Sequence, residues 1–160
     1  MKKHLIYFLL IAQFLILMGG CGFDIDNPLG DKGLMGQKKG EEIMGYLKTG
    51  NSEALIDMFC KVLKDQSDFD EKIEEIMNFI DGEIISYTMG GGAGGRGSTW
   101  ERLAPNVYNI ETDKGRFYKI YISIYIRNEN LNKLGIHSLK ICLESNNREE
   151  FIDEVELYTE

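Results

Sequence analysis

Two hydrophobic periods divide this chain at Gly82. Before it, apolar residues recur at intervals of three and four, the spacing of one helix face; after it they alternate, the spacing of one strand face. Ile43, Tyr46 and Leu47 set the first stripe and predict a helix from about Gly40 to Thr49, broken by Gly50-Asn51. Asn51 or Ser52 can cap a second helix running to Asp65, because either side chain can accept a hydrogen bond from a free backbone N–H. Leu55, Met58, Phe59, Val62 and Leu63 form its stripe. A third helix opens on Asp68-Phe69-Asp70-Glu71, a capping-box spacing with Asp68 in place of Ser or Thr. Phe69, Ile73, Ile76, Met77 and Ile80 form its apolar face, and Gly82 ends it.

Beyond Gly82, Glu83 to Met89 reads as a strand with Ile85, Tyr87 and Met89 on one face. A glycine-rich loop, Gly90 to Gly97, follows. Tyr108 to Thr112 is a second strand, Asp113-Lys114-Gly115 a tight turn, and Arg116 to Arg127 a long third strand. Tyr118, Ile120, Ile122, Ile124 and Ile126 line one face of that strand, and Phe117, Lys119, Tyr121, Ser123 and Tyr125 the other. Asn128 to Lys133 is a polar turn; Ile136 to Leu143 and Val155 to Tyr158 complete the strands. Helices first and an antiparallel meander afterwards give an α+β class, with three N-terminal helices packed on one face of a curved antiparallel sheet.

The segment before the first helix follows neither period. Lys2 and Lys3 precede an apolar run from Leu5 to Met18, then Gly19, Gly20 and Cys21. A charged start, an apolar core and small residues before a cut make residues 1–20 a secretory signal peptide. The run is short for a helix that must cross a bilayer, which takes about 20 residues. Cysteine directly after two small residues resembles the lipobox of bacterial lipoproteins. That resemblance implies cleavage before Cys21, diacylglycerol on its thiol and further acyl chains (palmitate) as a durable anchor. Residues 21–39 hold Gly22, Asn27-Pro28, Gly30, Gly33 and Gly36 and read as a flexible tether, leaving 40–160 as a single domain. The expected location is the extracytoplasmic face of the cell membrane, lipid-anchored, in a Gram-positive bacterium.

Charge narrows the partners. The chain carries a formal net charge of −8, and losing Lys2 and Lys3 makes the remainder more acidic still. Coulomb repulsion then disfavours nucleic acid and anionic surfaces. Once Cys21 is acylated, Cys60 and Cys142 remain, in a compartment that permits disulfides. They can pair or stand as small buried hydrophobes.

The order of lipobox, the helical pair Asn51–Asp65, the run Phe79-Ile80-Asp81-Gly82-Glu83-Ile84-Ile85-Ser86-Tyr87, and Thr112-Asp113-Lys114-Gly115 leading into a long aromatic strand resembles a family of Firmicute lipoproteins, the domain of unknown function 5104 family. The likeness covers about residues 40–158. It implies a fold similar to nuclear transport factor 2 and ketosteroid isomerase: a cone in which a curved sheet wraps three helices, often with a pocket at the wide end. It implies no substrate.

Candidate chemistry is sparse. The glycine loop satisfies G-x-G-x-x-G, but no long helix follows, there is no β-α-β unit and no P-loop lysine, so a nucleotide site is not expected. The loop can connect strands or act as a flap through Gly90, Arg96 and Gly97, with Arg96 reaching an anionic ligand. His137 shares an alternating face with Leu139, Ile141 and Leu143, the expected core side, which argues against a catalytic base. The acidic pairs, such as Glu74-Glu75, fall on solvated faces. No catalytic residue, cofactor or metal site is assigned. Tyr87, Trp100, Tyr118 and His137 are the candidates to line a pocket, while Phe117, Tyr121 and Tyr125 form an aromatic stripe that marks either a contact surface or ordinary cross-strand packing.

These readings converge on a membrane-anchored ligand-binding or protein-interaction module. Its expected partners are the membrane through its lipid, an envelope protein or small ligand, and a second copy of the chain. The alternative is a small-molecule enzyme using a cone pocket as ketosteroid isomerase-like folds do, which needs an acid or tyrosine of perturbed pKa inside that pocket.

Overall fold

The computed structural model describes residues 28–92, 97, 100–145 and 150–159, with side chains from residue 34 onward. Four helical segments precede five strands. The helices are α1 (Pro28–Thr49), α2 (Ser52–Met58), α3 (Lys61–Lys64) and α4 (Phe69–Phe79). The strands are β1 (Ile84–Gly91), β2 (Arg102–Thr112), β3 (Phe117–Arg127), β4 (Gly135–Glu144) and β5 (Phe151–Tyr158). They form one open antiparallel sheet in sequential order, β1-β2-β3-β4-β5. The class is α+β, as the change of period predicts.

The core lies between the helices and one sheet face. Tyr118, Ile120, Ile122 and Ile124 of β3 are buried there with Tyr108 and Ile110 of β2, and Leu139 and Ile141 of β4. Opposite them pack Ile43, Met44 and Leu47 of α1, Leu55 of α2, Leu63 of α3, and Phe69, Ile73 and Ile76 of α4. Each fully buried aliphatic side chain contributes about 1.5–3 kcal/mol of transfer free energy. The alternation of β3 is as expected, and its phase decides everything on the far face.

Several expected boundaries move, each for a visible reason. The first helix begins at Pro28, not near Gly40, so residues 28–39 are helix where a flexible tether was expected. The glycines there continue the buried stripe: Gly36 and Gly40 precede Ile43, Met44 and Leu47 at intervals of three and four. A methyl group on Gly36 would lie 2.5 Å from Cβ of Ala104, and one on Gly40 would collide with the Tyr108 hydroxyl. Glycine here lets the helix axis approach β2 closely. Proline at the first helical position suits the start, since its missing N–H is unpaired there anyway.

The second expected helix divides into α2 and α3. Phe59 turns extended (ψ 145) and pairs with Ile136, and the Cys60 N–H donates to the Ile136 carbonyl at 3.0 Å. Gly135, at φ +112, makes room: a Cβ there would sit 2.5 Å from the Met58 carbonyl oxygen. Asn51 does cap α2, accepting from the Ala54 N–H at 3.1 Å, whereas Asp68 makes no side-chain cap to α4. In β1 a bulge between Ile84 and Ser86 turns Ile85 outward and buries Ile84 instead, while Tyr87 and Met89 keep the expected inner face. β2 starts at Arg102, earlier than expected, despite Pro105. Its pairing with β1 ends at Val107, so Pro105 needs no N–H on that side.

Candidate functional site

The outer sheet face follows from the phase of β3. Phe117, Lys119, Tyr121, Ser123 and Tyr125 alternate with the buried set and remain partly exposed, because the helices pack on the other side. The strand is central in the sheet, so the expected aromatic stripe runs down the middle of the face. Registered neighbours flank it: Val107 and Lys140 beside Tyr121, Asn109 and Cys142 beside Lys119, Glu111 and Glu144 beside Phe117.

Charges on this face are largely paired among themselves. Lys119 sits 3.3 Å from the buried carboxylate of Glu144 and 5.8 Å from the centre of the Phe151 ring. Lys140 lies 2.8 Å from Glu154 and 3.8 Å from Glu156, and its hydrogen bond to Glu154 raises its pKa. Exposed pairs like the last add under about 1 kcal/mol to stability. Their chemical consequence is larger: with the lysines neutralised locally, tyrosine and phenylalanine dominate what a partner meets. A shallow polar depression of about 300 Å³ opens between β1 and β4, lined by Ser86, Thr88, Asn109, Phe117, Lys119 and Glu144.

The residues expected to line a pocket do not converge. Tyr118 is buried in the core, its ring edge-on to Phe79 and its hydroxyl accepting from the Asp81 N–H at 2.8 Å. Tyr87 packs edge-on to Tyr108 on β2. Trp100 is exposed beside Arg127 and Asn128, at the opening end of β2. His137 is not on the core face with Leu139, Ile141 and Leu143. The register Ser123↔Ser138 then Ile124↔Ile136 leaves it as the extra residue of a bulge, so the phase slips by one. Its ring instead meets Tyr125 edge-on at 5.1 Å and the Thr159 hydroxyl at 2.6 Å from Nδ1. Burial, and secondly Lys133, lowers its pKa, and among the described residues no carboxylate pairs with it. A hydroxyl and an imidazole without an orienting acid or oxyanion donors do not make a hydrolytic site.

Of the flap residues, Gly90 lies near the end of β1 and Gly97 beyond it; Arg96 lies outside the described residues. So do Cys21 and the whole expected signal peptide. Cys60 and Cys142 are both buried and both free, the first on the helix side and the second on the outer face, where burial raises its pKa.

Two features went unpredicted. Asn106 lies on the inner face of β2, buried, donating from Nδ2 to the Gly36 and Ala104 carbonyls at 3.3 Å each, with Oδ1 unpaired. Tyr108 beside it buries a hydroxyl with no partner among the described residues. Only the strand phase, extended back through Pro105, could have placed Asn106 inside. The second is a group of exposed apolar residues, Trp100 and Leu131 the most exposed, at one end of the molecule, apart from Ile85, Phe151 and Ile152 toward the other. It was invisible because its members come from four separate segments.

No curated protein matches the chain. A family model described as a domain of unknown function (DUF5104) matches residues 42–147, from the second half of α1 through β4. That is well over half of the 160 residues, and the chain belongs to this family.

Proposed function

We propose that the protein is a lipid-anchored, extracytoplasmic interaction module whose contact surface is the outer face of its sheet. The observation that carries this reading is the aromatic stripe Phe117, Tyr121 and Tyr125. It runs down the central strand on a face that none of the described helices covers, among lysines already paired with glutamates. Aromatic side chains with a polar tip supply contact area at small conformational cost. A protein partner suits this broad surface better than a small molecule does, since the residues expected to line a pocket are scattered. The anchor rests on the charged start, the apolar run and Cys21. The order of helices and meander further supports a nuclear transport factor 2-like cone as the parent fold.

The first partner to test is a second copy of the chain. A stripe on the central strand can face its own image across a two-fold axis. Sedimentation of the detergent-solubilised protein, with and without Tyr121→Ser/Tyr125→Ser, reads this directly. Loss of a dimer, or of a defined envelope complex that the wild type forms, is the expected result. Unchanged mass and unchanged complexes in the double variant, with its circular dichroism intact, reject this face.

A further inference from the structure

We infer that the end of the domain bearing Trp100, Leu131 and Leu134 lies on the lipid bilayer, so that the anchored protein has a fixed orientation. The inference rests on the lipid-anchor reading of Cys21 and adds to it a second membrane contact.

The surface comes from four segments. Trp100 is 65% exposed, Leu131 75%, and Leu34 and Met35 53% each. Met35, Met58, Ile126 and Leu134 line one apolar groove of about 300 Å³, and Trp100 lines a separate depression with Arg127 at the same end of β3. Tryptophan and leucine at the headgroup level of a bilayer bury apolar area while the indole N–H stays hydrated.

The direction of α1 identifies the occupant. Gly36 meets Ala104 near the start of β2, and Gly40 meets Asn106 and Tyr108 further in. Upstream of Gly36 the helix therefore runs toward this same end, where it begins at Pro28. Six residues lie between Cys21 and Pro28, a stretch of seven Cα–Cα steps. Fully extended that stretch spans about 25 Å, so the acylated cysteine lies within that reach of this end of the domain.

Charge agrees. Lys38, Lys39, Arg102, Arg127 and Lys133 lie at this end, beside Asp57, Glu101, Glu129 and Glu42, the last paired with Lys39. The opposite end carries Asp81, Glu83, Asp113, Glu150 and Asp153, all exposed, against Lys114, which pairs with Asp81, and Arg116. An anionic membrane repels that end and tolerates this one, and long basic side chains reach phosphates while their stems lie along lipid. The overall acidity of the chain thus orients the domain.

Trp100 is the sole tryptophan of the chain and reports on its own surroundings. The native lipidated protein is reconstituted in phosphatidylglycerol–phosphatidylethanolamine vesicles whose acyl chains are brominated near the headgroup. The expected result is emission shifted to shorter wavelength than in detergent-free buffer after enzymatic removal of the anchor, and quenching by the bromines. Both are lost in Leu131→Ser/Leu134→Ser, whose circular dichroism and membrane fractionation remain those of wild type. A vesicle-bound wild type with water-like, unquenched emission overturns the orientation and leaves the anchor standing. A native protein absent from the membrane fraction overturns both.

Discussion

Tyr108 shows how a single residue carries two consequences. Its ring is in the core and 1% of its surface is exposed, yet its hydroxyl has no partner among the described residues. Burial, then the charge of Glu41, then Tyr87, push its pKa up to about 12. The folded value lies above the ordinary value of about 10. The stability this group contributes is therefore complete below about pH 10 and is lost as pH rises toward about 12. Urea unfolding across that interval should show the loss, and Tyr108→Phe should remove most of it. At neutral pH the same variant should be as stable as wild type, or more stable by on the order of 1 kcal/mol, because it deletes an unsatisfied buried donor. A loss beyond about 1 kcal/mol at neutral pH means that the hydroxyl has a partner after all. His137 is the contrasting case. Alternation alone assigned it to the core; a one-residue bulge against Ser123 and Ile124 moved it to Tyr125 and Thr159. Bulges arise from the fit between two strands, so neither strand shows them when read singly.

At the level of elements, α1 separates what the chain discloses from what it conceals. The isoleucine ladder of β3 was readable because each apolar residue stands alone between polar or aromatic neighbours. Gly36 and Gly40 hold the same helical phase as Ile43 and Leu47, but glycine adds no side chain to an apolar stripe, so Gly36 reads as tether and Gly40 only as a helix start. Their role appears only with β2 in place. Three substitutions distinguish the two meanings of glycine in one helix. Gly36→Ala and Gly40→Ala should each destabilise by about 1–3 kcal/mol, through collision with Ala104 and with Tyr108. Gly45→Ala meets nothing within 4 Å and should stabilise by about 1 kcal/mol, the helix preference of alanine over glycine. Equal thermal shifts in all three would contradict the close approach of helix and strand. The break between α2 and α3 was likewise hidden: its cause is Gly135, in a strand far along the chain.

For the whole molecule, the sheet positions two surfaces of different chemistry. The end with Trp100 and Leu131 suits a bilayer, and with that end down the strands rise from it and the aromatic stripe faces sideways, open to a neighbour in the same membrane. The acidic turns at Asp81 and Asp113 then point outward. The class of the fold and the alternation that places the stripe were legible in sequence. The gathering of four apolar segments at one end was not, because each is too short to register as a pattern. Both surfaces are read through the proposed processing at Cys21, so the most direct measurement is the intact mass of the native protein extracted from membranes. The account predicts a chain that begins at Cys21 and carries diacylglycerol on its thiol, with that mass lost in Cys21→Ala. A native chain that retains Met1 to Gly20 and fractionates with the cytosol contradicts it.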